Sequence, residues 1–333
     1  MIISRTPCRM SFAGGGTDLP SHYSRHGGAV VSTTIDKYIN IAVNPKFDDH
    51  LRVSYSTTEI CDSLDQVRHP LVRESLRLVG ITKGIEIVSL ADIPASGTGL
   101  GSSSSFTVGL LNALYCYIGH HPTKHQLGHD SCEIEINICE EPIGKQDQYA
   151  AAFGGLNFIR FNKNHSVEVE ALDCHHSVQT RLESCILAFY TGIQRSASTL
   201  LKEQNELILS GSKTNILMQM SDQACQLRDE LRRSNTDAVG MIMHEGWKSK
   251  KSISDSISNG KIDRWYSKGR EAGALGGKLL GAGAGGFLVF YAPPEKHVDI
   301  TRALAELTPM KFGLDQKGST IIFKDDYVHH RGR

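Results

Sequence analysis

Two domains that mix strands and helices are the architecture this sequence predicts, and three observations predict it. The chain has 333 residues, more than one hydrophobic core usually organises. Its first half alternates β-branched runs with stretches of helical spacing. Its second half is dominated by helical spacing and closes on a glycine cluster followed by an apolar strand.

The elements follow in order. Ala29–Val43 and Gly84–Ile93 are rich in Val, Ile and Thr, whose branched side chains suit a pleated sheet. Phe106, Leu110, Leu111, Leu114 and Ile118 recur at helical spacing, which predicts a helix over 106–118. A second helix is expected over His125–Cys139, stopped near Pro142 and Gly144, and Gly155–Phe161 returns to strand. Ser198–Leu209, Ile216–Arg232, Asp237–Trp247 and Ile262–Ala274 carry helix-compatible patterns, and Phe287–Tyr291 reads as a buried strand. The polar turn Phe161-Asn162-Lys163-Asn164-His165 puts the division near residues 162–182, so the expected units are 1–172 and 173–326. The last seven residues read as a frayed tail.

Composition narrows the function classes. Lys plus Arg equals Asp plus Glu at 36 each, so neither a nucleic acid nor a membrane surface is expected as the main partner. The eight cysteines contain no Cys-x-x-Cys pair and read as reduced, mostly buried thiols of a cytoplasmic protein. The histidines include adjacent pairs but no His-Glu-x-x-His, and structural or surface roles are favoured over metal ligation. No leader segment is visible at Met1–Arg5, and no apolar stretch approaches the roughly 20 residues of a membrane span.

Pro94-Ala95-Ser96-Gly97-Thr98-Gly99-Leu100-Gly101-Ser102-Ser103-Ser104-Ser105 lies between a strand and a helix. Three glycines let backbone wrap an anion, and the serines are expected to cap a helix whose free N–H groups face the same point. Polyphosphate is the natural ligand, and a serine hydroxyl there can reach magnesium. The plain alternative is a loop that only turns the chain. No Gly-x-x-x-x-Gly-Lys-Ser/Thr occurs, so the segment is not a Walker A loop. Gly281-Ala282-Gly283-Ala284-Gly285-Gly286 fits Gly-x-Gly-x-x-Gly but is followed by the strand pattern Phe287–Phe290. A dinucleotide site needs a helix there, which leaves an NAD-linked oxidoreductase as a weak competitor.

Two acidic segments complete the set. In Gly144-Lys145-Gln146-Asp147-Gln148, Asp147 is flanked by small residues that let a ligand approach, as phosphoryl transfer to a hydroxyl requires of a carboxylate. Read alone, such an Asp favours the plainer role of an N-cap or a solvated charge. Glu135, on the second helix, competes with Glu133, Glu140 and Glu141 as an inward magnesium ligand. At the start of the chain, Pro7 to Asp18 runs from a strand holding Arg9 through Gly14-Gly15-Gly16 to Thr17 and Asp18. A carboxylate such as Asp18 can accept two sugar hydroxyls at once; otherwise it is an ordinary turn residue.

Together these stretches resemble the GHMP kinase superfamily of galactokinase, homoserine kinase, mevalonate kinase and relatives. Its three motifs appear in order at Pro7–Asp18, Pro94–Ser105 and Lys278–Phe287. The resemblance implies a two-domain α+β fold, with an N-terminal domain like ribosomal protein S5 domain 2, a ferredoxin-like C-terminal domain and a site between them. It implies ATP and Mg2+ as cofactors, with Arg9 and Asp147 as the catalytic pair and Glu135 and Ser103 as metal ligands. It assigns Pro94, Ser96, Gly97, Gly99, Leu100, Gly101, Ser102, Ser103 and Ser104 to nucleotide binding. Gly15, Gly16, Thr17, Asp18, Lys145, Arg195 and Gly283 are the implied substrate residues. Where galactokinases carry Gly-Glu-His, this chain has Gly14-Gly15-Gly16, which argues against galactose.

Gly14–Asp18, Gly144–Ala151, Thr191-Gly192-Ile193 with Arg195, and Trp247–Lys251 are most similar to the heptose 7-phosphate kinases. That branch phosphorylates the anomeric hydroxyl of D-glycero-D-manno-heptose 7-phosphate, for nucleotide-activated heptose synthesis. L-Fucokinases share much of the pattern, and a non-catalytic sugar sensor on the same fold is a further alternative. Arg5, Lys145, Arg195 and Lys278 are candidates for the substrate's own phosphate. The implied partners are a sugar phosphate and ATP, with no nucleic acid and no membrane, and homodimer formation is left open.

Overall fold

The computed structural model describes residues 1–94, 97–172, 176–194 and 197–325. The 18-residue strand Gly28–Pro45 organises a nine-stranded sheet. Along one flank it pairs with Ile2–Ala13. Ile85–Ala91 pairs with its second half and Leu156–Phe161 with its first. The alternation of Val and Ile with smaller residues in this strand is why it can serve both, since period-two patterning keeps the apolar set on one face.

The pairing of the first two strands jumps in register, from Pro7 opposite Tyr38 to Cys8 opposite Ile35. Such an irregularity bends a strand and re-aims the next side chain, which here is Arg9. The helix Ser102–Tyr117 covers both strands and buries Val108, Leu110, Leu111 and Leu114.

The second sheet has four antiparallel strands, in the order Thr308–Met310, Ile186–Tyr190, Phe287–Tyr291, Gly276–Leu279. Phe287–Tyr291 is buried throughout, as its unbroken apolar run predicts. Gly276–Leu279 pairs antiparallel with it, so the glycine cluster 281–286 is a hairpin connection between strands, not a turn into a helix. The helix Asp237–Lys251 lies on this hairpin with backbone in contact: a Cβ on Gly276 would stand 1.7 Å from the Gly240 carbonyl oxygen. Trp247 is fully buried beneath it.

Several elements differ from expectation. The helix foreseen at 106–118 begins at Ser102, because Gly101 takes a left-handed conformation and turns the chain earlier. The helix foreseen over 125–139 is α-helical only for Lys124–Cys132 and widens into a π-helical turn over Glu133–Ile138. There the Cys139 N–H donates to the Ile134 carbonyl, five residues back, at 2.8 Å. The helix Pro70–Val79 was not foreseen, although Pro70 in its first turn and the left-handed Gly80 after its end are readable signals. Leu314–Asp315 and Thr320–Lys324 return to the nine-stranded sheet, the latter pairing with Ile2–Arg5. They therefore lie across the expected sequence division.

Among the described residues, no helix is long and apolar enough to cross a membrane. The seven cysteines described are free thiols, six of them with pKa values raised by burial.

Candidate active site

Two glycine loops meet to form the back of a cleft of about 660 Å³. Gly97, Gly99 and Gly101 have φ of +73°, +75° and +74°, a region closed to most L side chains. A Cβ on Gly99 would lie 2.3 Å from the Leu280 carbonyl oxygen, and one on Gly281 2.5 Å from the Gly99 Cα. The Phe287 N–H donates to the Thr98 carbonyl at 3.2 Å. The loops therefore touch backbone on backbone, and no side chain separates the sheets at this point.

The serines do not cap the following helix. Gly101 is the N-cap and has no side-chain acceptor to offer, so the serines form the first turn itself. Ser102, Ser103 and Ser104 line the cleft, and Ser103 is the exposed one. A helix N-terminus without a cap acceptor directs its first N–H groups at whatever anion occupies the cleft. Ser104 donates to Glu135 Oε2 at 2.7 Å and Ser105 to the Pro7 carbonyl at 2.9 Å.

Arg9 and Asp147 form a two-point ion pair in the cleft wall. Arg9 Nε donates to Asp147 Oδ1 and Nη2 to Oδ2, both at 2.8 Å. Arg9 Nη1 donates to the Gly99 carbonyl at 2.6 Å, and the Arg9 N–H to the Leu100 carbonyl at 2.9 Å. Gly101 leaves room for the pair, since a Cβ there would meet Asp147 Oδ2 at 3.1 Å. The partners lie 138 positions apart in the sequence and are brought together only by the fold.

Asp18 is buried beside this pair and faces the cleft. The Gly16 N–H donates to its Oδ1 at 2.9 Å and Gln146 Nε2 at 3.1 Å. Gly144 permits the approach: a Cβ there would sit 2.0 Å from Asp18 Oδ2. Burial, then the nearby charge of Asp147, raises the Asp18 pKa above the ordinary carboxyl range.

Other expected residues are placed differently. Thr17 is buried, its hydroxyl donating to the Gly14 and Ala29 carbonyls, so it braces the loop instead of facing the cleft. Lys145 donates to the His165 carbonyl at 3.0 Å and lies over the Tyr23 ring, away from the cleft lining. Arg5 bonds Asn40 Oδ1 on the sheet surface. Leu100 is core, with only its backbone near the site, and Pro94 is exposed outside the lining. Gly15 is not among the cleft walls, whereas Gly16 and Gly283 are. Ser96 and Arg195 lie outside the described residues.

Glu135 projects from the π-helical turn into the cleft and is 1% exposed. It accepts hydrogen bonds from Ser104, Thr107 (2.6 Å) and Gln148. Burial pushes its pKa up to about 7, against those three donors. Three donors on two carboxylate oxygens leave lone-pair capacity unused. With the Ser103 hydroxyl on the same wall, the oxygen donors fit a hard divalent cation.

Several cleft residues were not singled out from the sequence, Gln204 and Lys250 among them. Lys250 is 6% exposed, lines the cleft and donates to the Gly281 carbonyl. The segment Trp247-Lys248-Ser249-Lys250-Lys251 enters the sequence reading only through its family resemblance, which gives Lys250 no role of its own. The available signal was helical: Met243, Trp247 and Lys250 share a face at four- and three-residue spacing, and all three are buried.

The family model for the GHMP kinases N terminal domain matches residues 67–155, and that for the GHMP kinases C terminal matches 227–307. The D-glycero-alpha-D-manno-heptose 7-phosphate kinase of Campylobacter jejuni is 30% identical over 315 residues, covering 91% of this chain and 93% of that protein. The L-fucokinase/L-fucose-1-P guanylyltransferase of Bacteroides fragilis is 26% identical over 93% of this chain, which spans only 36% of that longer protein. Among solved structures, a D-glycero-D-manno-heptose 1-phosphate kinase from Bacteroides thetaiotaomicron superposes with a TM-score of 0.80 at 23% identity, covering 98% of this chain and all of that one.

Paired glycine substitutions test the loop contact. Gly80 has φ +76° with no atom near its would-be Cβ, whereas Gly99 has φ +75° with the Leu280 carbonyl in the way. Gly80→Ala should cost only left-handed strain, roughly 1–2 kcal/mol in urea unfolding. Gly99→Ala should in addition lower kcat/KM for ATP by about 100-fold, as a misplaced phosphate loop would. Equal effects of the two on both measurements would refute the contact.

Proposed function

The chain belongs to the GHMP kinases and is a sugar kinase that uses ATP, and on that premise we propose that it phosphorylates the anomeric hydroxyl of D-glycero-D-manno-heptose 7-phosphate. The chain is a phosphotransferase with an alcohol acceptor and has the two-domain α+β fold of the family. The observation that carries the catalytic assignment is the two-point Arg9–Asp147 pair, set between the glycine loop and Asp18. The choice of heptose 7-phosphate is supported by the relative at 30% identity. L-Fucose is the second reading, favoured by the fucokinase relative.

In the proposed reaction the loops around Gly99 and Gly281 hold the triphosphate with backbone N–H groups and the helix end at Ser102. Asp18 accepts hydroxyls of the sugar. Asp147, held in place by Arg9, orients the anomeric hydroxyl and takes its proton as the oxygen attacks the γ-phosphorus in line. The bond from that phosphorus to the bridging oxygen breaks, and its electron pair leaves with ADP. Magnesium, held by Ser103 and Glu135, would neutralise charge on the phosphate oxygens.

The direct experiment supplies ATP with a panel of sugars and sugar phosphates, read by ADP release and by the position of the new phosphate. The expected acceptor is heptose 7-phosphate, with product at C1; a tenfold preference for unphosphorylated sugar would overturn the substrate assignment. Asp147→Asn should abolish turnover and leave nucleotide affinity nearly intact, and retention of more than about 1% of kcat would remove Asp147 as the base.

Glu135→Gln separates metal binding from folding. A buried carboxyl whose pKa rises to about 7 loses stability as pH climbs from the ordinary carboxyl range to that value. At pH 8 the uncharged amide should therefore leave the melting temperature unchanged or higher. Magnesium-dependent turnover should meanwhile fall about 100-fold or more. A lower melting temperature with unchanged kcat would make Glu135 a purely structural residue.

A further inference from the structure

Among the described residues of the cleft lining, the Lys250 ammonium has no carboxylate partner. Arg9 is engaged by Asp147 at two points and by the Gly99 carbonyl at a third, so its guanidinium is neutralised before any phosphate arrives. Lys250 is different. Among the described residues its hydrogen bond goes to a neutral acceptor, the Gly281 carbonyl, and it enters no ion pair with a carboxylate. An ammonium has three donors, so two remain available on a buried group that faces the cleft. A buried, unpaired charge is costly in an empty protein, and an anion in the cleft relieves that cost.

We propose that Lys250 is a catalytic residue of the kinase, donating from its ammonium to a non-bridging oxygen of the phosphoryl group as it passes from ATP to the sugar. The inference rests on the kinase reading above. Position favours the transferring phosphoryl over a distal phosphate on the acceptor. The carbonyl that anchors Lys250 belongs to Gly281, whose backbone is in contact with Gly99 of the phosphate loop. The charges bearing on Lys250 are Asp18, Arg9 and Asp147, all at the reacting centre, with Lys278 behind it on the strand Gly276–Leu279. Lys250 keeps its protons throughout: the hydroxyl proton goes to Asp147 and the electron pair leaves with ADP. The helix Asp237–Lys251 brings Lys250 from the second half of the chain, so the ammonium reaches the phosphoryl only when the two glycine loops are in contact.

Burial lowers the pKa of Lys250 to about 8; Asp18 and Asp147 oppose the shift and Arg9 adds to it. A lysine with a lowered pKa is charged below that value and loses its proton as pH rises through it. The decisive experiment measures kcat, both KM values and their pH dependence for Lys250→Met and Lys250→Arg, with melting curves for each. Lys250→Met should lower kcat about 100-fold or more, with KM for ATP and for sugar within about threefold of wild type. Wild-type kcat/KM for ATP, which reports the free enzyme, should fall on the alkaline side with a midpoint near 8. In Lys250→Arg, which recovers part of kcat, that fall should move above pH 10, because guanidinium stays charged.

Retention of kcat within tenfold in Lys250→Met, or a rise in sugar-phosphate KM alone, overturns the proposal, the latter in favour of a distal-phosphate contact. If Lys250→Met does not fold, an alkaline limb in Lys250→Arg identical to wild type overturns it as well. If wild type prefers another sugar, the substrate assignment fails and Lys250 is tested with that sugar. If no sugar raises ADP release above the rate without acceptor, that background transfer of the phosphoryl to water provides the kcat and pH readouts.

Discussion

Arg9 is the tie on which the cleft depends. Its backbone N–H donates to Leu100, its Nη1 to the Gly99 carbonyl, and its remaining fork to Asp147. One residue thus joins the first strand, the Gly97–Gly101 loop and the helix Gln146–Phe153. The register jump between Pro7 and Cys8 aims it there. A buried ion pair of this kind contributes little net stability, because desolvating both charges offsets most of their attraction. Its effect is geometric, since a bidentate pair holds the carboxylate in one orientation.

The second constraint is the absence of side chains where the loops meet. Gly99, Gly281 and Gly286 each lie so close to facing backbone that any Cβ would collide. This contact sets the helix that carries Lys250 against a cleft whose walls come from both halves of the chain. Electrostatics follows from the resulting enclosure. Asp18 and Glu135 titrate high and Lys250 and Lys278 low, all chiefly because burial penalises the charged form.

Much of this was legible in the residues, for local reasons. The β-branched runs appear as the strands Gly28–Pro45 and Ile85–Ala91, and the spacing from Phe106 to Ile118 as a buried helix. The failure of Gly281–Gly286 as a dinucleotide turn was readable from the strand that follows it. The misreadings also have local causes. Serines after a glycine loop look like caps, yet Gly101 turned the chain first. A lysine beside an invited ligand looks like a phosphate partner, yet Lys145 found the His165 carbonyl and the Tyr23 ring.

By itself the sequence determined the order of elements, the two glycine loops and the family to which they belong, because propensity and motif spacing act over a few residues. Which charged groups meet was decided only by tertiary structure. Arg9 and Asp147 stand 138 residues apart, and nothing between them in the chain encodes their contact. Lys250 among its lysine neighbours, and Thr17 beside Asp18, differ only in which way a helix face or a loop turns. Burial sets their chemistry, and burial is a property of the whole fold.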